Sequence, residues 1–534
     1  MTSLRSCRSA SYFLHISGGF QVISGIVINL INGGQPYFTY SAALTLFLAT
    51  TDSTILSTSL PTIVSELKAS QDQYTWVAVA YMLTQTAGQP LYGKFSDLIG
   101  RKVVLYTSMF IFCIGSLLSG ASKSITWLIL SRALSGVGGG GIVSSVWTIT
   151  SEIVPVHKRA HWSQALSLTW ASSAIAGPLL GGLFCNNSGS IVDWRWSFYM
   201  NLPICLVAFI VLLISTRTVN LDRNHDTSWR ELAIKFDFVG LFVFMSGTSF
   251  IIVGFSFVTL KGWTAPTTLS LIIGGALLLA LGAVYEVRTS REALFPPQLF
   301  KDISCVAILI VVFLHSFCFT TGTFYIAIYF QAVDGMSPFT AGIASLPYSL
   351  GSTLVSIPAA WFMGFWQIKR GNMSGQKWIS FGGLIIGAVG FGLMITLDER
   401  SSSSIKLLFP LVTGIGLGLL LHAPYQVFMR ALQSKDVAIG TSAFFLMRFT
   451  GATIGLSLAG TVFNIRLDNT LPSGYAGNSR TIDLATVRSI TPPQLRDEVL
   501  NAISRSIQTI WTLCSPFLGL AVLVSPSLLI PTIR

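Results

Sequence analysis

Long apolar runs recur along this chain and constrain its fold more than any other feature. Fourteen of them are long enough to cross a bilayer as helices, a crossing that takes about 20 residues. Of the 534 residues, 51% are hydrophobic and only 10% are charged, whereas about 25% of the residues in an average soluble domain are charged. The runs are continuous rather than alternating, which argues against an outer-membrane barrel. The sequence therefore predicts an all-α polytopic membrane protein.

The predicted spans are separated by short polar segments. They lie at 38–60, 73–94, 103–121, 125–150, 163–185, 194–216, 236–258, 266–287, 303–330, 338–366, 378–397, 405–429, 438–463 and 506–530. Residues 11–30 are also apolar, but a span there would carry Arg5 and Arg8 to the side that the charges disfavour. We expect an interfacial or poorly ordered segment there, with a signal peptide or a wrongly assigned chain start as alternatives.

Basic residues indicate on which side of the membrane each connection lies. One set of connections carries seventeen lysines and arginines, and the opposite short connections carry six. Because cytosolic connections are enriched in basic residues, we expect the richer set and both termini in the cytosol. The net charge of +12 then reflects topology, and no nucleic-acid partner is expected. The sequon at Asn186 falls outside and is a candidate glycosylation site.

Two pairs of glycine motifs indicate an internal repeat. GKFSDLIGRK (93–102) and GFWQIKRGN (364–372) each contain two glycines separated by six residues. RALSGVG (132–138) and PLVTGIG (410–416) align their glycines in the same order. The chain is therefore expected to form two six-helix bundles with two helices inserted between them. The expected units are the segment 1–37, a bundle 38–216, inserted helices with linkers 217–302, and a bundle 303–534 with a long external loop 464–505.

A carboxylate within an apolar run is costly in a bilayer and is therefore a functional candidate. Asp52 is the only acid that we place deep within a span, about 12 Å below the outer boundary. Arg132 lies on the fourth span, about 10 Å below the same boundary. We expect the two to pair, and protonation of Asp52 would release Arg132 in a proton-coupling step. The alternative is a static pair that only holds two helices together.

Polar and aromatic side chains near span centres are candidates for a substrate cavity. In the second bundle these are His315, His422 and Arg448, with contacts to neighbouring helices as the alternative. Arg448 has no deep acid partner there, so it could attract an anionic group or cap backbone carbonyls. The aromatic candidates, for which helix packing is the alternative, are Tyr81, Trp147, Trp170, Tyr425 and Phe444.

Several segments resemble the major facilitator superfamily, and within it the fourteen-span drug:proton antiporters of fungi. The resemblance covers residues 40–530 and includes DSTILSTSLP (52–61), which is similar to the first-helix motif of that family. GKFSDLIGRK resembles its loop motif, Arg132 its fourth-helix motif, and WRWSFYMNLP (194–203) is typical of this branch. AGPLLGG (176–182) resembles the motif of antiporters, although Ser173 stands where that motif usually begins with glycine.

The resemblance implies a major facilitator fold and roles for two motifs. The loop motif would form a latch that holds the outward-open arrangement, with an ordinary topology signal as the alternative. Its residues are Gly93, Asp97, Gly100, Arg101 and Lys102. The antiporter-like motif allows close helix packing through its small residues, and its proline bends the helix. Its residues are Gly177, Pro178, Gly181 and Gly182.

The leading functional prediction is a secondary active exporter that works by alternating access. A proton would enter as an amphipathic organic compound, such as a drug or toxin, leaves. The alternative on the same fold is a proton-coupled importer of siderophores or basic amino acids. No GxxxxGK[ST] motif occurs, so ATP hydrolysis is not indicated.

Other classes of function find little support in the sequence. Six scattered histidines and seven cysteines without paired spacing indicate no metal site, no cofactor and no disulfide framework. A membrane enzyme would need convergent acids, histidines or metal ligands at one face, and a sensor would carry a long signalling tail. The expected partners are a small-molecule substrate, protons and the lipid bilayer. We expect a monomer in the plasma membrane, with the vacuolar membrane as the alternative.

Overall fold

Helices form the regular structure of the described part of the chain. The computed structural model describes residues 36–69, 71–153, 159–185, 193–215, 237–289, 291, 303–371, 374–432, 437–472, 487 and 490–525. The first half contains α1 Pro36–Thr54, α2 Leu56–Glu66, α3 Gln71–Ile99, α4 Arg101–Gly120, α5 Ile125–Ile153, α6 Arg159–Cys185, α7 Trp196–Tyr199 and α8 Asn201–Ser215. The two inserted helices are α9 Phe238–Lys261 and α10 Pro266–Arg288.

The described part of the second half has eight helices, as does that of the first. It contains α11 Ile303–Ala332, α12 Pro338–Ala344, α13 Leu346–Arg370, α14 Ser374–Met394, α15 Ser403–Leu419, α16 Ala423–Ala431, α17 Val437–Thr470 and α18 Pro493–Val524. Three of the breaks between consecutive helices come just ahead of a proline, at Pro203, Pro347 and Pro424. Proline lacks the N–H group and clashes with the preceding turn, so the helix is interrupted there.

Each predicted span coincides with one helix or with two consecutive helices. Among the described residues, ten helical segments are long and apolar enough to cross a membrane. The predicted spans 38–60, 73–94, 125–150 and 338–366 are helical but are not among those ten. Arg132, Asp52 and many glycines and serines lower their hydropathy, which a helix that faces other helices tolerates. The all-helical membrane fold is confirmed, and the count of fourteen stays a prediction.

The same helix pairs pack in both halves. In the first half α5 packs against α3 and α4, and in the second half α15 packs against α13 and α14. The pair α1–α6 in the first half likewise corresponds to α11–α17 in the second. The halves meet where α3 packs against α17, α2 against α11, and α6 against α12 and α13. The inserted pair α9–α10 packs on itself, and α9 also contacts α17.

The connection before the last helix is shorter than the sequence predicted. α17 continues to Thr470 and α18 begins at Pro493, so helix occupies both ends of the segment 464–505 that we expected to be a loop. These helices have 34 and 32 residues, or lengths of about 50 Å. The hydrocarbon core is only about 30 Å thick, so polar helical turns extend beyond it. The apolar pattern reports the membrane-embedded part and therefore missed these turns.

Candidate functional site

The structure brings Asp52 and Arg132 together in the first half. Asp52 lies in the last turn of α1, and Arg132 is the eighth residue of α5. Arg132 Nη1 donates to Asp52 Oδ2 at 2.5 Å, and Nη2 donates to the Asp52 carbonyl oxygen at 3.3 Å. The two residues are 1% and 0% exposed. A carboxylate and a guanidinium thus face each other out of contact with solvent.

Two further side chains complete this buried pair. Asn201, the first residue of α8, donates from Nδ2 to Asp52 Oδ1 at 2.9 Å and lies 3.2 Å from Ser116 Oγ. The Tyr81 ring lies 4.4 Å from the Arg132 guanidinium carbon. The Tyr81 hydroxyl donates to the Ala49 carbonyl at 3.0 Å. Both carboxylate oxygens of Asp52 therefore accept a hydrogen bond.

Tyr81 and Asn201 make contacts that the sequence did not identify. Tyr81 is a candidate for lining a cavity, with helix packing as the alternative, and in the structure it packs against Arg132. Asn201 was not singled out, although it is a polar residue inside the motif WRWSFYMNLP. The sequence feature that could have indicated a role for Asn201 is an amide side chain at the start of an apolar run. Its partner, Asp52, lies 149 residues away in the chain. Only the packing of α8 against α1 reveals that contact.

A small cavity lies between the two halves, next to the buried pair. Ser53 and Thr54, which follow Asp52 in the chain, contribute to its lining. The described lining has aromatic, hydroxyl and amide side chains and one charged residue, Arg448. Its volume is about 60 Å³, whereas sites for organic ligands usually measure about 300–1,000 Å³. In this conformation the cavity has room for a few water molecules but not for an organic compound of drug size.

Arg448 and Trp170 meet at this cavity from opposite halves. The Arg448 guanidinium carbon lies 4.4 Å from the Trp170 ring centre. His315 and His422 are buried close enough to Arg448 to interact with its charge. His315 Nε2 lies 3.1 Å from the Leu417 carbonyl oxygen, so this nitrogen carries the hydrogen. Trp170 and Arg448 thus line the cavity, and the two histidines are not among its described lining residues.

The predicted aromatic candidates also include residues that join the halves at the predicted cytosolic end. Trp147 near the end of α5 contacts Tyr425 and Phe445, with ring centres 4.9 and 5.2 Å apart. Phe444 packs against Tyr425 at 5.1 Å. These rings form a layer that lies further toward the cytosolic end than the cavity. In this conformation these rings pack against one another, which agrees with the alternative of helix packing.

The antiporter-like motif on α6 lies against the segment that carries Asp52. A Cβ atom on Gly177 would meet the Thr54 hydroxyl, and one on Gly181 would meet the Ile55 carbonyl. The Pro178 carbonyl accepts a hydrogen bond from Thr58 at 2.8 Å. A Cβ atom on Gly182 would meet the Pro338 carbonyl of the second half. The motif therefore lets α6 approach α1, α2 and α12 at backbone distance.

The loop motif lies where α3 ends and α4 begins. Gly100 has φ 98°, a conformation that favours glycine. Arg101 is buried and donates to Ser96 Oγ at 2.7 Å, and Lys102 is half-buried. A Cβ atom on Gly93 would lie 2.9 Å from Ser442 Oγ on α17. The Asp97 side chain and Asn186 lie outside the described residues, so the latch and the glycan stay predictions.

Comparisons with known proteins agree with this architecture. The sequence pattern that defines the Major Facilitator Superfamily matches residues 42–456. An uncharacterized transporter of Schizosaccharomyces pombe is 32% identical over 484 residues, which cover 90% of this chain and 79% of that protein. The efflux pump dotC of Dothistroma septosporum is 29% identical over 485 residues, which cover 89% of this chain and 80% of that protein.

Solved structures show the same fold at low sequence identity. A bacterial homolog of the human lysosomal transporter Spinster, in an inward-facing and unoccupied conformation, superposes with a TM-score of 0.63. The match covers 93% of this chain and 98% of that chain, at 16% identity. At this identity the likeness concerns the fold alone.

Proposed function

The chain belongs to the Major Facilitator Superfamily and is a multi-pass membrane transporter rather than an enzyme, and we propose that it exports amphipathic organic compounds in exchange for protons. We further infer that it is a fourteen-span drug:proton antiporter with both termini in the cytosol and that it acts in the plasma membrane. The observation that carries the proposal is the sealed pair of Asp52 and Arg132 beside the cavity between the halves.

The proposed coupling step is protonation of Asp52. In the charged state the carboxylate accepts from Arg132 and Asn201. A proton on Asp52 removes the counter-ion of Arg132, which stays charged at any physiological pH. An unpaired charge in a buried site is costly, so protonation favours a rearrangement of α1 against α5. Because Ser53 and Thr54 follow Asp52 and line the cavity, this movement would change the substrate site directly.

Alternating access requires contacts that open in turn at the two ends of the interface. At the predicted outer end, Gln331 Nε2 donates to the Thr58 carbonyl at 3.1 Å, and Gly182 lies against Pro338. At the predicted cytosolic end, Trp147 contacts Tyr425 and Phe445. Both sets join the first half to the second. If the two halves rock about the cavity, the contacts at one end separate while the contacts at the other end stay formed.

Two observations favour export over import. The motif at Gly177–Gly182 resembles that of antiporters and packs against the Asp52 segment. One of the relatives similar over most of this chain is named an efflux pump. Deletion of the protein should therefore raise the intracellular retention of amphipathic compounds. Lower uptake of a nutrient, with unchanged retention, would instead support the importer.

The proposal is tested with the purified protein in liposomes that carry an imposed pH gradient. A panel of amphipathic compounds identifies those whose transport the gradient accelerates in the wild-type protein. Asp52→Asn should abolish this acceleration while substrate exchange without a gradient persists. The matched control is Asp193→Asn, the same chemical change in a half-exposed residue that pairs with Arg195.

The result also separates proton coupling from a static role for the pair. If Asp52→Asn still responds to the pH gradient like the wild type, the proton binds elsewhere and the proposal is wrong. If this variant does not fold, Asp52→Asn with Arg132→Gln takes its place, because the double variant leaves no unpaired charge. A folded double variant that keeps gradient-driven transport would leave the pair a purely structural role.

A further inference from the structure

Arg448 is the only charged residue in the described lining of the central cavity. Its nearest aromatic partner is Trp170, on which the guanidinium lies at 4.4 Å. The described part of the lining contains no carboxylate. Asp52 lies nearby, but its two oxygens already accept from Arg132 and Asn201. The cavity thus has a positive charge whose counter-ion is not supplied by the residues around it.

The contacts of Arg448 argue against a purely structural role. If it capped backbone carbonyls, its N–H groups would donate to helix ends. Within the described ranges Arg448 makes no hydrogen bond and no ion pair, and its guanidinium stacks on Trp170. Stacking on an aromatic face leaves the edge of the guanidinium and its N–H donors available. These donors suit a planar anion such as a carboxylate, which can accept two of them at once.

A second polar group in the same lining also lacks a partner. Ser316 on α11 is 4% exposed, and its hydroxyl has no hydrogen-bond partner among the residues that the structure describes. Thr320 and Thr323 follow on the same helix and also line the cavity. Residues spaced by three or four positions lie on one face of a helix, so these hydroxyls form a polar row. A buried hydroxyl without a partner is costly, and a bound acceptor would satisfy it.

We propose that Arg448 and Ser316 bind the anionic group of the transported compound and that Trp170 contacts its apolar body, so that the substrate is an amphipathic organic anion, such as an aromatic carboxylate. This inference rests on the proposed function and narrows its substrate class. Binding would occur in a state in which the halves have moved apart, since the cavity now measures about 60 Å³. The carboxylate of the bound substrate then serves as the counter-ion of Arg448.

Binding of three matched probes to the purified full-length protein tests this inference. The probes are 1-naphthaleneacetate, its neutral amide, and (1-naphthylmethyl)trimethylammonium, which share one aromatic body and differ in charge. We expect the wild-type protein to prefer the carboxylate. Arg448→Gln should weaken carboxylate binding by about tenfold to a hundredfold, the usual range for a hydrogen bond to a charged group, with little change for the amide. Ser316→Ala should produce a smaller loss of the same kind.

Three further variants give the test its controls. Arg448→Lys keeps the charge and should retain part of the preference for the carboxylate. Arg466→Gln changes an exposed arginine on the same helix and should leave all three affinities unchanged. Asp52→Asn should keep the charge preference while it loses gradient-driven transport, so failure of proton coupling and failure of anion recognition are distinguishable. Equal or tighter binding of the amide or the cation, binding of none of the probes, or an unchanged preference in Arg448→Gln would each overturn the inference.

Discussion

Asp52 and Arg132 are 80 residues apart in the chain, and both are removed from solvent in the fold. Each charge alone would be costly at this depth, because desolvation favours neither a carboxylate nor a guanidinium. Together with Asn201 they satisfy each other, apart from Arg132 Nε, which has no partner among the described residues. The pair is therefore stable as a unit and sensitive to the loss of either member.

A double-mutant cycle measures this dependence. Asp52→Asn leaves Arg132 charged and unpaired and should lower the free energy of unfolding by about 3–5 kcal/mol. Asp52→Asn combined with Arg132→Gln removes both charges and should recover much of that loss. The measurement is the midpoint of thermal unfolding, in detergent, of Asp52→Asn, Arg132→Gln, the double variant and the wild type. Equal destabilisation by the single and the double substitution would contradict a coupled pair.

Small residues on α6 allow this helix to pack closely against the segment that carries Asp52. Its glycines allow the backbone of α6 to approach Thr54 and Ile55, which lie two and three residues after Asp52. The hydrogen bond from Thr58 to the Pro178 carbonyl spans the same contact. Helices in a bilayer gain packing energy only through close approach, because lipid tails are as apolar as their side chains. The motif thus acts on Asp52 through the path of α1 and α2.

A substitution at Gly181 tests this role of α6. Gly181→Val places a branched side chain against the Ile55 carbonyl, where even a Cβ atom does not fit. Overpacking of this kind typically costs about 1–3 kcal/mol, and we expect loss of gradient-driven transport with the protein still in the membrane. Gly274→Val on α10 is the matched control, since a Cβ atom there meets nothing within 4 Å. Equal loss of transport in both variants would contradict a specific role for the α6 contact.

At the scale of the whole molecule, the charge of the substrate decides how the membrane potential acts on transport. If one proton enters for each monoanion that leaves, two positive charges move inward in each cycle. With a neutral substrate, only one positive charge would move inward in each cycle. Each charge that crosses contributes about 2.3 kcal/mol per 100 mV, or roughly a fiftyfold change in the concentration ratio at equilibrium.

Voltage dependence therefore distinguishes the two classes of substrate. In liposomes with a potassium diffusion potential that is negative on the cytosolic side, we expect efflux of an anionic substrate to respond about twice as steeply, on a logarithmic scale, as efflux of a neutral one. The measurement is the steady-state substrate gradient at several imposed potentials. If the logarithm of the gradient of a carboxylate substrate changed with potential as for the movement of one charge, the proposed exchange of one proton for one anion would be contradicted.

The sequence alone predicted the features that depend on local composition. Apolar length determines which segments can enter a bilayer, so the helical membrane fold and the approximate positions of the helices followed from the amino-acid sequence. Depth within a span follows from counting residues, because a helix rises by a constant 1.5 Å per residue. This is why Asp52 and Arg132 were expected to meet. The repeat was visible because glycines recur in register between the halves.

Which side chains share a site depends on how the helices pack, and the sequence does not show this. Rotation of each helix about its axis depends on packing with its neighbours, and a span boundary does not reveal it. Tyr81 therefore lies on Arg132 rather than in the cavity, and Asn201 reaches Asp52 from α8. Trp170 and Arg448 come from opposite halves and meet because α6 and α17 face the same interface. Contacts between helices of opposite halves form only when both halves are assembled.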